Sequence, residues 1–179
     1  MFEPIFIIMI IEEISKDEYY NSVYDLVKDN LGYTYANNVK SLTEEDSVLL
    51  IANKNENIAG FACGYNINNE TDYINNYRID NEINSVLEKI VVHPDYRGLG
   101  IGKQLTKEKL KLLNGHTIVE CWVRSDSPDS SLIYESLDFE LINTLENNWL
   151  EESKNAKDEN FCPDCGEICY CDSKIYVKK

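Results

Sequence analysis

Apolar positions along the chain recur either as short continuous runs or at helical spacing. The run Ile5–Ile14 predicts a buried first strand. Ser15 and Glu18 then form a capping-box pattern, which predicts a helix that continues to about Asp29. The polar residues 31–46 predict a short helix and a loop. The first quarter of the chain is therefore predicted to hold one strand followed by helical segments.

The middle of the chain predicts a hairpin, Ser47–Asn53 with Ile58–Asn66, and then a polar excursion over residues 66–84. Beyond residue 85, strands and helices alternate, which predicts a mixed α/β fold with one central sheet. The elements predicted there are strands Val86–Val92, Thr117–Val123 and Phe139–Leu145, a helix that ends at Leu113 before the cap Asn114-Gly115, a helix from Ser127-Pro128-Asp129 to about Leu137, and a last strand in KIYVKK.

Length and charge narrow the function classes. The 179 residues fit one domain, and 43% hydrophobic with 27% charged residues is a folded composition. A formal net charge of −15 argues against nucleic acid and anionic membranes as partners, and favours an amine-bearing small molecule or a basic peptide. Solvated acidic faces alone would also explain this charge. The apolar start IFIIMII is too short to span a bilayer, so we expect a cytoplasmic protein. The sequence leaves its oligomeric state open, and a homodimer is one option.

Three glycines alternate between a strand and a lysine-rich helix in the segment VVHPDYRGLGIGKQL. A strand, a tight turn and a helix start point several backbone N–H groups, and the positive end of the helix dipole, at an anion. The spacing of Gly98, Gly100 and Gly102 fits neither the Walker A loop nor the dinucleotide fingerprint. With Arg97 and Lys103 beside the glycines, the segment predicts a site for a phosphate-bearing ligand.

In two segments the chain resembles the GNAT superfamily of acyl-CoA-dependent N-acyltransferases. YRGLGIG matches the family's R/Q-x-x-G-x-G/A pyrophosphate loop through Arg97, Gly100 and Gly102. SLIYESLDFEL is similar to the family's Leu-Tyr-Glu-x-Leu-Gly-Phe segment, with Asp138 where glycine is usual. The resemblance covers about residues 5–145 and implies a GNAT-like mixed central sheet flanked by helices.

The resemblance implies an N-acetyltransferase in which a primary amine attacks acetyl-CoA directly. Tyr134, at the family's tyrosine position, would protonate the departing thiolate, although a core aromatic residue is the alternative. Glu88 would accept the proton of the amine, because it lies two residues before Ile90 and is expected on the same strand face; a solvated carboxylate is its alternative. A backbone N–H group of Ile90 or Val92 would stabilise the oxyanion.

The resemblance also implies how CoA binds. The pantetheine arm would pair with the strand at Ile90–Val92, and the pyrophosphate would lie on the amides of Leu99–Lys103. Lysines 103, 107, 109 and 111 either reach the adenosine phosphates or stay solvated. The implied cofactor-binding residues are Ile90, Val91, Val92, Arg97, Gly98, Leu99, Gly100, Ile101, Gly102, Lys103 and Ser127, the last at a position where the family often has asparagine.

Four of the six cysteines lie in FCPDCGEICYCDS. C-P-x-C-G is a metal-knuckle pattern, and Cys162, Cys165, Cys169 and Cys171 together suit a tetrahedral structural zinc. The C-x-C half is tighter than the usual C-x-x-C, and iron or free thiols are the alternatives. We expect residues 1–150 to form the acetyltransferase domain and 151–179 the zinc knuckle with a final strand, which metal removal should loosen first.

Two functions from different classes fit these features. An acetyltransferase is favoured by the glycine loop and Tyr134. A non-catalytic GNAT-like module, which binds CoA or docks a protein through the four-cysteine knuckle, is the alternative. The acceptor is not encoded in a recognisable motif: a polyamine, an amino acid derivative, an antibiotic or a protein lysine would each suit an acidic surface.

Overall fold

A computed structural model of the chain describes residues 9–54, 56–67, 83–124, 130–156 and 161–179. Most of the predicted polar excursion, the helix start at Ser127 and the first four residues of the predicted first strand lie outside these ranges. The strands are β1 (Met9–Glu13), β2 (Ser47–Lys54), β3 (Asn57–Asn66), β4 (Ser85–Val92), β5 (Thr117–Val123), β6 (Glu140–Leu145) and β7 (Asp172–Lys178).

Most helices lie close to their predicted positions, but the helix predicted from Ser127 to about Leu137 covers Ser131–Glu135 in the described residues, and one further helix is an exception that the sequence did not predict. Ser15 and Glu18 form both hydrogen bonds of the capping box, which confirms the predicted helix start. The exception is a short helix after Trp149, in a segment whose sequence is polar. The helices are α1 (Lys16–Glu18), which runs through a π-type turn (Tyr19–Val23) into α2 (Tyr24–Leu31), then α3 (Tyr33–Asn37), α4 (Ile101–Leu112), α5 (Ser131–Glu135) and α6 (Leu150–Ala156).

The seven strands form one mixed sheet in the order β1-β2-β3-β4-β5-β7-β6. Every neighbouring pair is antiparallel except β4 and β5, which are parallel. The final strand β7 lies between β5 and β6, and its Tyr176 is fully buried in the core beneath α4. The chain on either side of residue 150 therefore contributes to the same sheet.

Each face of the sheet carries its own core, because side chains alternate along a strand. On one face, Leu105 of α4 packs with Leu50, Val119 and Tyr176. On the other face, Tyr19 and neighbouring residues of the first helices pack with strand residues of β2, β3 and β4. No helix in the described ranges combines the length and the apolarity needed to cross a bilayer.

A bulge and a splay in the middle of the sheet determine where a ligand can enter. Opposite Cys63 and Gly64 of β3, the register of β4 skips from Lys89 to Leu87, which leaves Glu88 as the extra residue. Beyond Leu87, β4 no longer pairs with β5. Lys109, expected from the sequence either near the adenosine phosphates or in solvent, holds the bulge instead. It is buried, and its Nζ donates to the carbonyl oxygens of Cys63 (2.8 Å) and Lys89 (3.2 Å).

Candidate active site

A cavity of about 580 Å³ opens where β4 and β5 separate. The cavity has two sides, because consecutive residues of β5 point in opposite directions. Cys121 packs with Tyr134 in the core beneath α4, whereas Trp122 packs against Tyr35 and the cysteine knuckle (residues 161–171). We name these the loop side, which carries α4, α5 and the glycine loop, and the wall side, which carries α3 and the knuckle. A ligand that crosses the gap between the strands would contact both sides.

The glycine loop on the loop side is shaped for an anion. Gly98 and Gly100 have φ angles of +74° and +79°, and no atom lies within 4 Å of the Cβ position of either. Gly100 is the N-cap of α4, whose start has neither a side-chain cap nor an acidic residue in the first turn. The first amides of the 12-residue helix therefore face open space at the positive end of its dipole.

Gly102 has a different role, close packing. A Cβ atom there would lie 2.8 Å from Cδ1 of Ile133 and 3.5 Å from Cδ1 of Ile90. Glycine at this position lets the first turn of α4 approach the side chains that line the cavity. Ile101, whose side chain is buried in the core, and the exposed Leu99 complete the predicted loop.

The two basic residues beside the glycines contact protein atoms. Arg97 donates from Nε to the carbonyl of Val92 (3.2 Å) and from Nη2 to Oδ1 of Asn30 (2.7 Å), which ties the loop to β4 and α2. Lys103 donates from Nζ to the carbonyl of Ser136 (3.2 Å). Both contacts brace the loop, and they leave the backbone amides as its anion-binding groups.

The free edge of β4 presents backbone groups to the cavity. The N–H group of His93 donates to the carbonyl of Ala59 on β3 (2.9 Å). Backbone N–H groups alternate in direction along a strand, so those of Val92 and Ile90 point away from β3, into the gap beside β5. The edge is thus free to pair with an extended ligand, the arrangement that the family resemblance implies for Ile90–Val92. Val91 points its side chain into the core on the wall side.

Tyr134 lines the cavity on the loop side, and only 3% of its surface is exposed. Its ring makes an edge contact with Phe139 (5.5 Å between centroids) and a tilted contact with Tyr176 (5.9 Å). Burial, with a smaller contribution from Cys121, raises the pKa of Tyr134, so its hydroxyl keeps its proton at neutral pH. Asp138 has a φ of +61°, which explains why glycine is usual at this position of the motif.

Glu88 does not share the face of Ile90, and that expectation is wrong because the bulge at Glu88 breaks the strand alternation. Its carboxylate lies on the wall side and accepts hydrogen bonds from the amides of Lys40 (2.6 Å) and Ser41 (2.8 Å), from Ser41 Oγ (2.7 Å) and from Lys89 Nζ (3.1 Å). Desolvation would raise the pKa of Glu88, but Lys89 and these hydrogen bonds outweigh it and lower the pKa. The general-base role of Glu88 stays a prediction. The carboxylate that would take this role is ionised and already accepts several hydrogen bonds.

The wall side carries residues that sequence reasoning missed. Tyr35, Glu120, Trp122 and Trp149 line the same cavity as the glycine loop. They come from α3, β5 and the turn before α6, and no short motif contains them. The one local signal was the Glu120–Trp122 alternation on a predicted strand. Ser127, predicted to contact the cofactor, lies outside the described residues.

The four predicted metal ligands come together. The Sγ atoms of Cys162, Cys165, Cys169 and Cys171 all lie within 4.8 Å of one another, with Cys171 at 3.8 Å from Cys162 and 3.5 Å from Cys165. Sulfur atoms about 2.3 Å from a tetrahedral zinc are about 3.8 Å apart. The amide of Cys165 donates to Sγ of Cys162 (3.3 Å), and Gly166 has a φ of +84°, as a metal knuckle requires. The donor set and its spacing fit one tetrahedral metal ion.

The family model described as acetyltransferase (GNAT) family matches residues 8–139 of this chain. No curated protein matches the chain by sequence. The chain shares 16% identity and a TM-score of 0.65 with Arabidopsis thaliana NAA60 in complex with a bisubstrate analogue, over 96% of this chain and 97% of that one. A GNAT family acetyltransferase from Elizabethkingia anophelis with acetyl-CoA bound shares 16% identity and a TM-score of 0.62 with the chain, over 96% of this chain and 97% of that one.

A third solved structure, the ribosomal-protein-S18-alanine N-acetyltransferase from Escherichia coli, gives 18% identity and a TM-score of 0.61, over 95% of this chain and 92% of that one. Identities this low establish a shared fold, and the family model covers well over half of the sequence. The glycine loop, the free edge of β4 and the splayed strands agree with that match. The chain therefore belongs to the acetyltransferase (GNAT) family.

Proposed function

We propose that the protein acetylates a primary amine by direct attack of the amine on acetyl-CoA. One observation carries this proposal: the glycine loop, the free edge of β4 and the Tyr134 side chain all line a single cavity. The pyrophosphate would bind the first amides of α4, and the pantetheine arm would run along Ile90–Val92. The thioester would then lie near Tyr134, with the acceptor entering from the wall side.

Two protein groups would act directly on the reacting atoms. The amine nitrogen attacks the thioester carbon, and the resulting oxyanion accepts a hydrogen bond from the N–H group of Val92 or Ile90. Collapse of this intermediate breaks the carbon–sulfur bond. The CoA thiolate leaves with the electron pair and takes a proton from the Tyr134 hydroxyl. Burial raises the pKa of Tyr134, so the hydroxyl arrives protonated, but the same shift makes it a weaker acid. Its phenolate is returned to phenol by a proton from solvent or the amine.

Glu88 is the proposed acceptor of the amine's proton. Its carboxylate lines the cavity on the wall side, from which the amine would come. Its four hydrogen bonds make it a weak base, so we propose transfer through a water molecule. Glu88→Gln should lower turnover by less than about tenfold and move the acidic limb of the rate–pH profile. An unchanged profile would leave Glu88 with only its role in holding Lys40 and Ser41.

A screen of amines by thiol release tests the proposed reaction. Purified protein with acetyl-CoA should release CoA thiol faster with at least one primary amine than with acetyl-CoA alone, and mass spectrometry should find one acetyl group on that amine. Tertiary amines of the same size are the matched control, because they have no N–H proton to lose. Release that no amine accelerates would contradict the proposal.

We also propose that the four cysteines hold one structural zinc ion. The tetrahedral spacing of their Sγ atoms supports this, and four protein thiolates leave no open position for catalysis. Elemental analysis of protein purified without chelators should find about one zinc per chain. A content below about half a metal ion per chain, or iron in its place, would contradict the assignment to zinc.

A further inference from the structure

Three aromatic side chains form the wall side of the cavity. The ring of Tyr35 lies 4.7 Å from that of Trp122 and 5.9 Å from that of Trp149, and the two indole rings are 5.6 Å apart. All three residues line the cavity. We name these three side chains the aromatic wall. Its members are only partly exposed and come from three segments that are distant in sequence.

The cysteine knuckle supports the aromatic wall from behind. Phe161, which is fully buried, makes an edge contact with Tyr35 (5.4 Å between centroids). Cys162, Cys169 and Cys171 pack in the same cluster as the three wall residues. The amide of Cys169 also donates to Oγ of Ser153 on α6 (3.0 Å). The wall is thus fixed in place by the segment that the metal would order.

Two carboxylates lie beside the aromatic wall. Glu120 lines the cavity from β5 and accepts a hydrogen bond from Asn148 Nδ2 (2.6 Å). Glu152 lies on the first turn of α6, and it forms no ion pair with any residue of the described ranges. Partial desolvation, followed by the negative charge of Glu120, raises the pKa of Glu152, and Lys89 opposes the rise. Two like charges therefore sit close to one another and to aromatic faces, and a bound cation would relieve their repulsion.

The cations already present at the wall show that its rings accept positive charge. Lys89 Nζ lies 5.9 Å from the Tyr35 ring, and Arg124 Cζ lies 5.1 Å from the Trp122 ring. Both are held by other groups: Lys89 donates to Glu88 and to the carbonyl of Asn38, and Arg124 donates to the carbonyl of Asn30. No Lys or Arg of the described residues lies over the Trp149 ring.

We propose that the aromatic wall, with Glu120 and Glu152, binds a second positive charge on the acceptor, so that the acceptor is an aliphatic diamine or polyamine. This inference rests on the proposed amine acetylation. One ammonium group would lie over the Trp149 ring near the two carboxylates, while the other amine, deprotonated, faces the thioester. The net charge of −15 would attract such a polycation.

Tryptophan fluorescence can measure this binding directly, without any acetyl transfer. The chain has two tryptophans, Trp122 and Trp149, and both belong to the aromatic wall. Titration with 1,4-diaminobutane should change the emission at concentrations at least about tenfold lower than titration with butylamine, which carries one charge. If the emission changed at the same concentration of 1,4-diaminobutane and of butylamine, the proposal would be overturned.

Variants that remove single negative charges test whether Glu120 and Glu152 bind the second ammonium group of the diamine. Glu152→Gln and Glu120→Gln should each weaken diamine binding about threefold to tenfold and leave butylamine nearly unaffected. Glu151→Gln is the matched control: it removes the same charge from the adjacent residue of α6, whose carboxylate pairs with Lys154 instead, and it should change diamine binding by less than twofold. A diamine response that survives both wall variants would overturn the proposal.

Kinetics separate this inference from the proposed function. If acetyl transfer occurs with equal kcat/KM for the diamine and the monoamine, the second-charge site is wrong and the acetyltransferase stands. If the diamine binds with the predicted variant pattern but no amine is acetylated, the site stands and the proposed reaction is wrong. A diamine preference that appears in both binding and kcat/KM supports the two together.

Discussion

The two sides of the cavity are built in different ways. On the loop side, one contiguous stretch, Arg97–Lys103, presents backbone amides, and two glycines with positive φ keep the space in front of them open. On the wall side, side chains from α3, β5 and the turn before α6 meet in front of the cysteine knuckle. One surface is made of main chain and the other of side chains, although they face the same gap.

This difference explains what each side can recognise. Backbone amides at a helix start favour any anion of suitable size, so the loop side suits the phosphates of the proposed constant ligand, acetyl-CoA. Aromatic rings and carboxylates discriminate by charge and shape, so the wall side suits the variable ligand, the acceptor. A change on one side should therefore affect one ligand and spare the other. Of the four predictions below, Gly100→Val and metal removal test this directly.

Gly100→Val should have the largest effect, the loss of acetyl-CoA binding. The substitution forces a β-branched residue to a φ of +79° and fills the open space before the first amides of α4. At 100 times the Kd, acetyl-CoA should stabilise the wild type by about 2.7 kcal/mol and so raise its Tm. The rise in Tm should vanish in the variant.

Leu99→Ala serves as the control for Gly100→Val, because it changes an exposed side chain of the same loop and keeps the backbone. It should retain the acetyl-CoA shift in Tm. A Gly100→Val protein that folds and still shows the full shift would show that the pyrophosphate does not bind these amides.

Tyr134→Phe should lower turnover ~10²-fold, or about 2.7 kcal/mol in activation free energy, while acetyl-CoA binding is preserved. The ring that packs against Phe139 and Tyr176 remains, so the core should hold. The measurement pairs kcat, from thiol release with an active amine, with the Tm shift by acetyl-CoA. Turnover within threefold of the wild type would remove Tyr134 from the mechanism.

Removal of the metal should act on the wall side before the loop side. The knuckle packs directly on the aromatic wall, so chelation should change the tryptophan emission and weaken amine binding about tenfold. Acetyl-CoA should still raise the Tm, because the glycine loop has no contact with the cysteine cluster among the described residues. Readdition of zinc should restore the emission. Simultaneous loss of both ligands would mean that the metal maintains the whole sheet.

The smallest effect is expected at Lys109, which supports both sides through the bulge. Burial lowers the pKa of Lys109 to about 8, whereas an unfolded lysine titrates near pH 10.4. Between these values the unfolded chain binds more protons than the folded chain. The free energy of unfolding contributed by this residue should therefore rise with pH, by up to about 1 kcal/mol per pH unit, and Lys109→Met should remove the rise.

Urea unfolding of the wild type and of Lys109→Met at pH 7 and pH 9.5 measures this contribution. The quantity is the change in unfolding free energy of the wild type between the two pH values minus the same change in the variant. Titrating groups that do not interact with Lys109 are shared by the two proteins and cancel, whereas the interactions of Lys109 with Cys63 and Glu88 are part of the measured difference. A wild type that gains no stability relative to Lys109→Met over this range would show that the lysine is not desolvated as its burial implies.

Local patterns in the sequence were enough for the features that a few neighbouring residues create. The capping box at Ser15, the glycines with positive φ and the knuckle at Cys162 and Cys165 each depend on backbone geometry within four or five residues. The α4 helix also follows from its own periodicity. Helix α6 was missed because its polar sequence has no apolar stripe; it forms beside Trp149 and Ser153, which anchor it to the knuckle.

Features that depend on contacts between distant segments could not be predicted in this way. The direction of Glu88 depends on the bulge, which Lys109 stabilises from another element by satisfying two carbonyl groups. The role of Lys109 itself was misread, since a lysine on a helix is normally solvated and here finds two buried acceptors. An alternation rule has no information about where a strand gains an extra residue.

The sequence by itself determined the alternation of strands and helices, the glycine loop, the GNAT motifs and the group of four cysteines, because each of these is encoded over a short contiguous stretch. Only the tertiary structure decided that the knuckle stands behind Tyr35, Trp122 and Trp149, and that Glu120 lies on their side of the gap. The reason is physical. β7 inserts between β5 and β6, and this long-range pairing carries the C-terminal segment to the cavity, which no local propensity specifies.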